Sequence, residues 1–266
     1  MPAKLSPRIN RILFRVLTIC ALASLLGSWR TTKVDIGTAA TSVNPRAGTA
    51  ARNAETIRYQ DTDLELIAVY SVIDGQLDAT ALPEHRRIWT LAEGTLPADA
   101  LRHIRQLNIV TDGPARTLAM VHRSTTEHDA WILSIDPSES HDIMQHTLVH
   151  ELAHLYTLGE ADLTSQRTNC AGELIEIGCA RRQSLLADYA ERFWSGVAEP
   201  ARYSSTEFVT QYAADSVHED LAETFMSWVY GDKADSNTIA AKYLWFGSID
   251  TFVAARTEIQ ANLRAA

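Results

Sequence analysis

Basic residues are short in this chain. Its 24 lysines and arginines stand against 33 acids, a formal charge of −9. That sign argues against nucleic acid as a partner. Cysteine is scarce too, with three in 266 residues. Cys170 and Cys179 stand nine apart with no second pair, which is not a usual spacing for a cysteine zinc site. Long apolar runs are missing. The N-terminal one, at 16–27, has twelve residues, against the ~20 that a membrane-spanning helix takes. No stretch of the chain repeats another. What is left is an apolar share of 46% and a charged share of 21%, as in an ordinary globular protein. The length suits one substantial domain or two small ones.

Acids are absent from one place in particular. Residues 1–30 hold Lys4, Arg8, Arg11, Arg15 and Arg30 and no Asp or Glu. Basic residues followed by a short apolar run read as an export signal. Ala21-Leu22-Ala23 offers an A-x-A cleavage site but lies within the run, so an uncleaved N-terminal anchor stays open as the alternative. Cys20 follows Ile19, where a lipoprotein site wants a small residue. Export leaves Cys170 and Cys179 as an even pair in an oxidising compartment, the setting for a disulfide. Residues 31–55 are rich in Thr, Ala, Ser and Asn without periodicity, and read as a linker. Residues 56–266 read as one globular domain.

The most informative string is His150-Glu151-Leu152-Ala153-His154, H-E-x-x-H. On a helix, residues four apart share a face, so both imidazoles can meet one metal ion. Glu151 lies one step round, free to act as general base on water activated by that ion. Leu148, Val149, Leu152, Ala153, Leu155 and Tyr156 make a helix-compatible apolar setting, and Gly159 is placed to stop the helix. Ahead of it, 63–74 fits strand or helix, 83–91 and 98–107 read as helices, and 107–111, 117–122 and 130–135 as strands. The strands are expected to form a small antiparallel sheet. The metal helix is expected to start at Asp136 or near Ser140. Further helices are expected at 181–195, 215–230 and 236–263, with a polar loop through the two cysteines between. The whole reads as an α+β fold.

Catalytic zinc usually takes three protein ligands and a water. Glu160 is the nearby candidate, but a tight return to the metal wants glycine where Thr157 stands. Downstream, Leu221, Phe225, Trp228 and Val229 form a core stripe. Glu219 and Glu223 lie four apart on the opposite face, so one can ligate while the other holds a ligating histidine. A solvated acidic face is the plainer reading of that pair. Ser216-x-x-Glu219 also fits a capping box, which would leave Glu219 free only if Asp215 capped instead. His146 and His218 read as cleft-lining or surface residues; His122, His128 and His141 carry no argument.

H-E-x-x-H with E-x-x-A-E-x-F, and Tyr212 seven residues before Glu219, resembles the gluzincin arrangement of the anthrax lethal factor catalytic domain. Closer still is a group of secreted bacterial zinc metallopeptidases. They carry T-L-x-H-E-x-x-H, a later Cys…Gly-Cys, Phe-Trp, and Y-A-x-x-x-x-x-E-D-x-A-E-x-F. Here these are Thr147-Leu148-Val149-His150, Cys170, Gly178-Cys179, Phe193-Trp194, and Tyr212-Ala213 leading to Glu219 and Phe225. The match covers 145–230 firmly and 85–144 loosely. The resemblance implies a zincin-like fold and one zinc per chain. It implies His150, His154 and Glu219 as ligands, Glu151 as base, Glu223 behind a histidine, and Tyr212 donating to the developing oxyanion. Val217-His218 departs from the Asn-Pro of those relatives. The expected activity is hydrolysis of a peptide or protein substrate in an exported protein. Two alternatives stand beside it: a zinc-bearing binding module without turnover, and a zinc amidase acting on cell-wall material.

Overall fold

The computed structural model describes residues 65–111, 118–138, 140–175 and 177–265. The readings for 1–30 and 31–55 lie outside the described residues. The stretch open between strand and helix is strand β1 (Glu65–Ile73), whose Tyr70 and Val72 are buried. Asp74 and Gly75 both take positive φ, 50° and 77°, the two-residue hairpin geometry that returns the chain antiparallel. The returning strand is β2 (Gln76–Leu77). Helix α1 (Pro83–Glu93) starts on proline and buries His85, Ile88, Trp89 and Ala92 along one face.

Helix α2 (Ala98–His103) is shorter than the expected 98–107. Ile104 is already extended and opens β3 (Ile104–Thr111), which is buried on both faces, Gln106 and Asn108 included. Strands β4 (Ala119–Arg123) and β5 (Trp131–Ile135) follow. The sheet order is β2-β1-β3-β5-β4, with β3 and β5 parallel and the other pairs antiparallel. The sheet is therefore mixed, not antiparallel as expected. Burial explains the order. Every residue of β5 is buried, so it takes an interior position, whereas β4 is half-buried throughout and takes the edge.

Helix α3 (His141–Thr157) begins after an extended Ser140, not at Asp136. The Asp136 carboxylate instead accepts from Ser138 N in a turn before the helix. Leu148, Val149, Leu152 and Ala153 are buried against the core. The helix ends at Thr157 and is capped by Leu158, just before Gly159. The expected polar loop contains a small antiparallel sheet of β6 (Leu163–Thr164), β7 (Leu174–Ile175) and β8 (Gly178–Ala180), ordered β6-β8-β7. The Cys170–Cys179 disulfide ties it, with the Cα atoms 5.6 Å apart.

Helix α4 (Leu185–Phe193) is capped by the Ser184 hydroxyl. A 3-10 turn (Tyr212–Ala214) leads into α5 (Val217–Tyr230). The single helix expected at 236–263 is two, α6 (Asn237–Phe246) and α7 (Asp250–Ala265), divided at Gly247. Phe225 meets Phe246 and Phe252 with ring centroids 5.6 and 5.1 Å apart, and Trp245 and Phe246 meet at 5.0 Å. Helix α5 packs on α3, α4, α6 and α7. Buried from Asp220 through Val229, it has no solvated acidic face. A helix surrounded in this way is held by its neighbours on every side, so its side chains are aimed with little freedom.

Candidate metal centre

Helix α3 supplies His150, Glu151 and His154; α5 supplies Glu219 and Glu223; the 3-10 turn supplies Tyr212. The four-residue spacing brings the two imidazoles together, with ring centroids 4.9 Å apart. Their Nε2 atoms are 3.1 Å from each other. Glu219 Oε2 lies 3.0 Å from His150 Nε2 and 3.6 Å from His154 Nε2. His150, His154 and Glu219 thus form a group able to hold a metal ion.

Two tests of fit favour a cation between these three atoms. The first is electronic. The carboxylate of Glu223 accepts from His150 Nδ1 at 2.8 Å. In the neutral ring, His150 Nε2 therefore presents a lone pair to the Glu219 oxygen and the His154 nitrogen. Glu219 Oε2 is buried without a hydrogen-bond donor. Once the proton on His150 Nε2 is gone, three electron-rich atoms face one another, a donor set that a bound cation satisfies. The second is metric. Tetrahedral zinc with ligands at ~2.0–2.1 Å holds neighbouring ligand atoms about 3.3 Å apart, and the triangle found here has sides of 3.0, 3.1 and 3.6 Å.

Glu151 is 7% exposed. Burial pushes its carboxyl above the ordinary range, against the pull of His154 and His150. Its Oε2 accepts from the backbone N–H of Val121 on edge strand β4, at 3.0 Å. Burial opposes charge on Glu219, yet His154 and His150 hold its carboxyl well below the usual range. The ring of Tyr212 lies beside His150, 5.9 Å between centroids at 23°. Burial, and then the charge of Glu219, push the Tyr212 phenol well above 10. At neutral pH that hydroxyl keeps its proton and can donate.

Ser216 is the helix cap, accepting from Glu219 N at 3.4 Å, so the expectation that Asp215 must cap for Glu219 to be free is corrected. Only the backbone of Glu219 enters the cap, and its side chain remains with the histidines. Glu160 is apart from the group: its carboxylate pairs with an exposed His128 at 2.7 Å. His218 lines the site, 5.8 Å from the His154 ring and with Nε2 3.6 Å from Glu219 Oε1. Burial pushes its pKa down to about 4. His146 faces elsewhere, stacked on Tyr230 at 3.8 Å.

Two participants have no counterpart in the sequence reading. Thr210 Oγ1 donates to Glu223 Oε2 at 2.6 Å and accepts from Ala213 N. It thereby fastens the carboxylate behind His150 to the turn carrying Tyr212. Its only signal is its place two residues before Tyr212. The Val121 donor is a backbone group, and side-chain identity carries no trace of it. Comparison with protein families, with characterised proteins and with solved structures finds no match for this chain.

Proposed function

We propose that this chain is a zinc-dependent metallopeptidase of gluzincin type, exported from the cell. The observation that carries the reading is the convergence of His150, His154 and Glu219 with an unligated, buried Glu151 beside them. A purely structural site has no use for a base at that position. The two imidazoles and Glu219 would hold zinc, leaving a fourth position open. Bound there, zinc supplies a Lewis acid that lowers the pKa of water and polarises a carbonyl.

The chain's own groups do the rest. Glu223 takes the Nδ1–H of His150 and so keeps Nε2 turned to the ligand position. Glu151 takes a proton from the attacking water as its oxygen bonds to the peptide carbon. It passes that proton to the amine as the carbon–nitrogen bond breaks. A carboxylate raised by burial is the stronger acceptor for this task, and the Val121 N–H holds one of its oxygens in place. Tyr212 donates its hydroxyl to the carbonyl oxygen as negative charge gathers there. The disulfide supports an oxidising compartment. Among the described residues no helix is long and apolar enough to cross a membrane.

The test combines elemental analysis with digestion of a peptide library. Wild-type protein should carry zinc near one per chain and cleave peptides. Glu151→Gln should retain the zinc and lose cleavage by orders of magnitude, because an amide accepts no proton. A zinc-free wild type, or undiminished cleavage by Glu151→Gln, overturns the reading.

A further inference from the structure

Asp220 follows the candidate ligand Glu219 and is fully buried on another side of α5. Every lone pair of its carboxylate is engaged. Lys242 Nζ of α6 donates to both oxygens, at 2.8 and 2.6 Å. Tyr189 of α4 and Trp194 just beyond it donate to Oδ2, at 3.0 and 2.8 Å. Thr224 donates to Oδ1 at 3.1 Å. Lys242 is 2% exposed, gives a further hydrogen bond to Glu207 O, and lies 4.9 Å over the Phe208 ring.

Such a pair is a poor source of stability. Removing both charges from water costs about as much as their attraction returns, and apolar residues of similar volume often serve as well. Its value lies in direction. The donors reach Asp220 from α4, from the residue ending it, and from α6, so α5 is gripped from two neighbouring helices. Successive residues on a helix differ by about 100° in azimuth. A turn of α5 that stretched the bonds to Asp220 would swing Glu219 off His150 and His154 by the same angle, and Glu223 with it.

We propose that the buried Asp220–Lys242 pair is a positioning device for the metal centre, setting the rotation of α5 at which Glu219 and Glu223 meet the two histidines. The inference rests on the metal site proposed above. Asp220→Asn with Lys242→Met removes both charges and keeps an acceptor for Tyr189 and Trp194. In the full chain, thermal unfolding of the zinc-free protein is compared with zinc affinity from chelator competition. The double variant should melt near the wild type while binding zinc about 10- to 100-fold more weakly, the range for groups that orient ligands. Tyr189→Phe, which deletes one donor, should give a smaller loss in the same direction. Unchanged zinc affinity in a folded double variant overturns the inference. So does unchanged affinity in Tyr189→Phe if the double variant fails to fold, and so does an affinity loss that merely follows a loss of stability. A wild type that takes up no zinc overturns the metal site itself, which separates the two failures.

Discussion

At the scale of single residues, the two acids four apart on α5 have divided labour. Glu219 turns an oxygen to both Nε2 atoms, while Glu223 lies behind His150 on Nδ1. Glu219→Ala should therefore reduce zinc affinity most, Glu223→Ala by about 10- to 100-fold, and Glu160→Ala hardly at all. Chelator competition ranks the three, and a damaging Glu160→Ala would move the third ligand to the other candidate. Protons follow the metal. Burial works against a charge on His150, yet Glu219 and Glu223 outweigh it and hold the imidazole well above its ordinary 6.5. A cation arriving at Nε2 has to displace that proton, so zinc binding weakens as pH falls and releases protons near neutrality. Calorimetric titration in two buffers of unlike ionisation heat measures the release, and equal apparent enthalpies would contradict it.

At the scale of elements, α5 is stopped by Gly231 in the left-handed region, φ 77°, with its N–H bonded back to the last turn. A Cβ there would meet nothing within 4 Å, so backbone strain alone sets the cost of a side chain. Gly231→Ala should destabilise by about 1 kcal/mol. It should leave zinc affinity unchanged, because Glu219 lies at the other end of the helix. Chemical denaturation beside chelator competition checks both halves. The elements legible from sequence are α3 with its motif, α5 with Leu221 and Phe225, and β3, β4 and β5, whose short runs are set off by turn residues. The break at Gly247 is not, because apolar residues continue on both sides, from Trp245 and Phe246 to Phe252. Nor are β6 and β7, since two residues carry no alternation. For the site, side chains four apart could be read directly. The Val121 N–H could not, because it depends on which strand takes the edge of the sheet.

At the scale of the whole molecule, the disulfide closes a short loop that holds β7 and the start of β8 in the small sheet. Replacing Cys170 and Cys179 by serine should cost about 2–3 kcal/mol, the loop-closure value for so short a span. Denaturation of the paired-serine variant against oxidised wild type measures it, and an undiminished midpoint would show that β6, β7 and β8 need no tie. The order of strands has a consequence in time. Strand β5 lies between β3 and β4, both of which precede it in the chain. As the polypeptide emerges from its N-terminus, β4 has no place to dock until β5 arrives. Helix α3 comes next, and Glu223 is 73 residues beyond His150. The backbone group that steadies Glu151, the histidines and the acids therefore come into register only when nearly the whole domain has been made. A nascent or half-folded chain therefore has no assembled centre, and the site exists only once α5 has been made and has packed against α3.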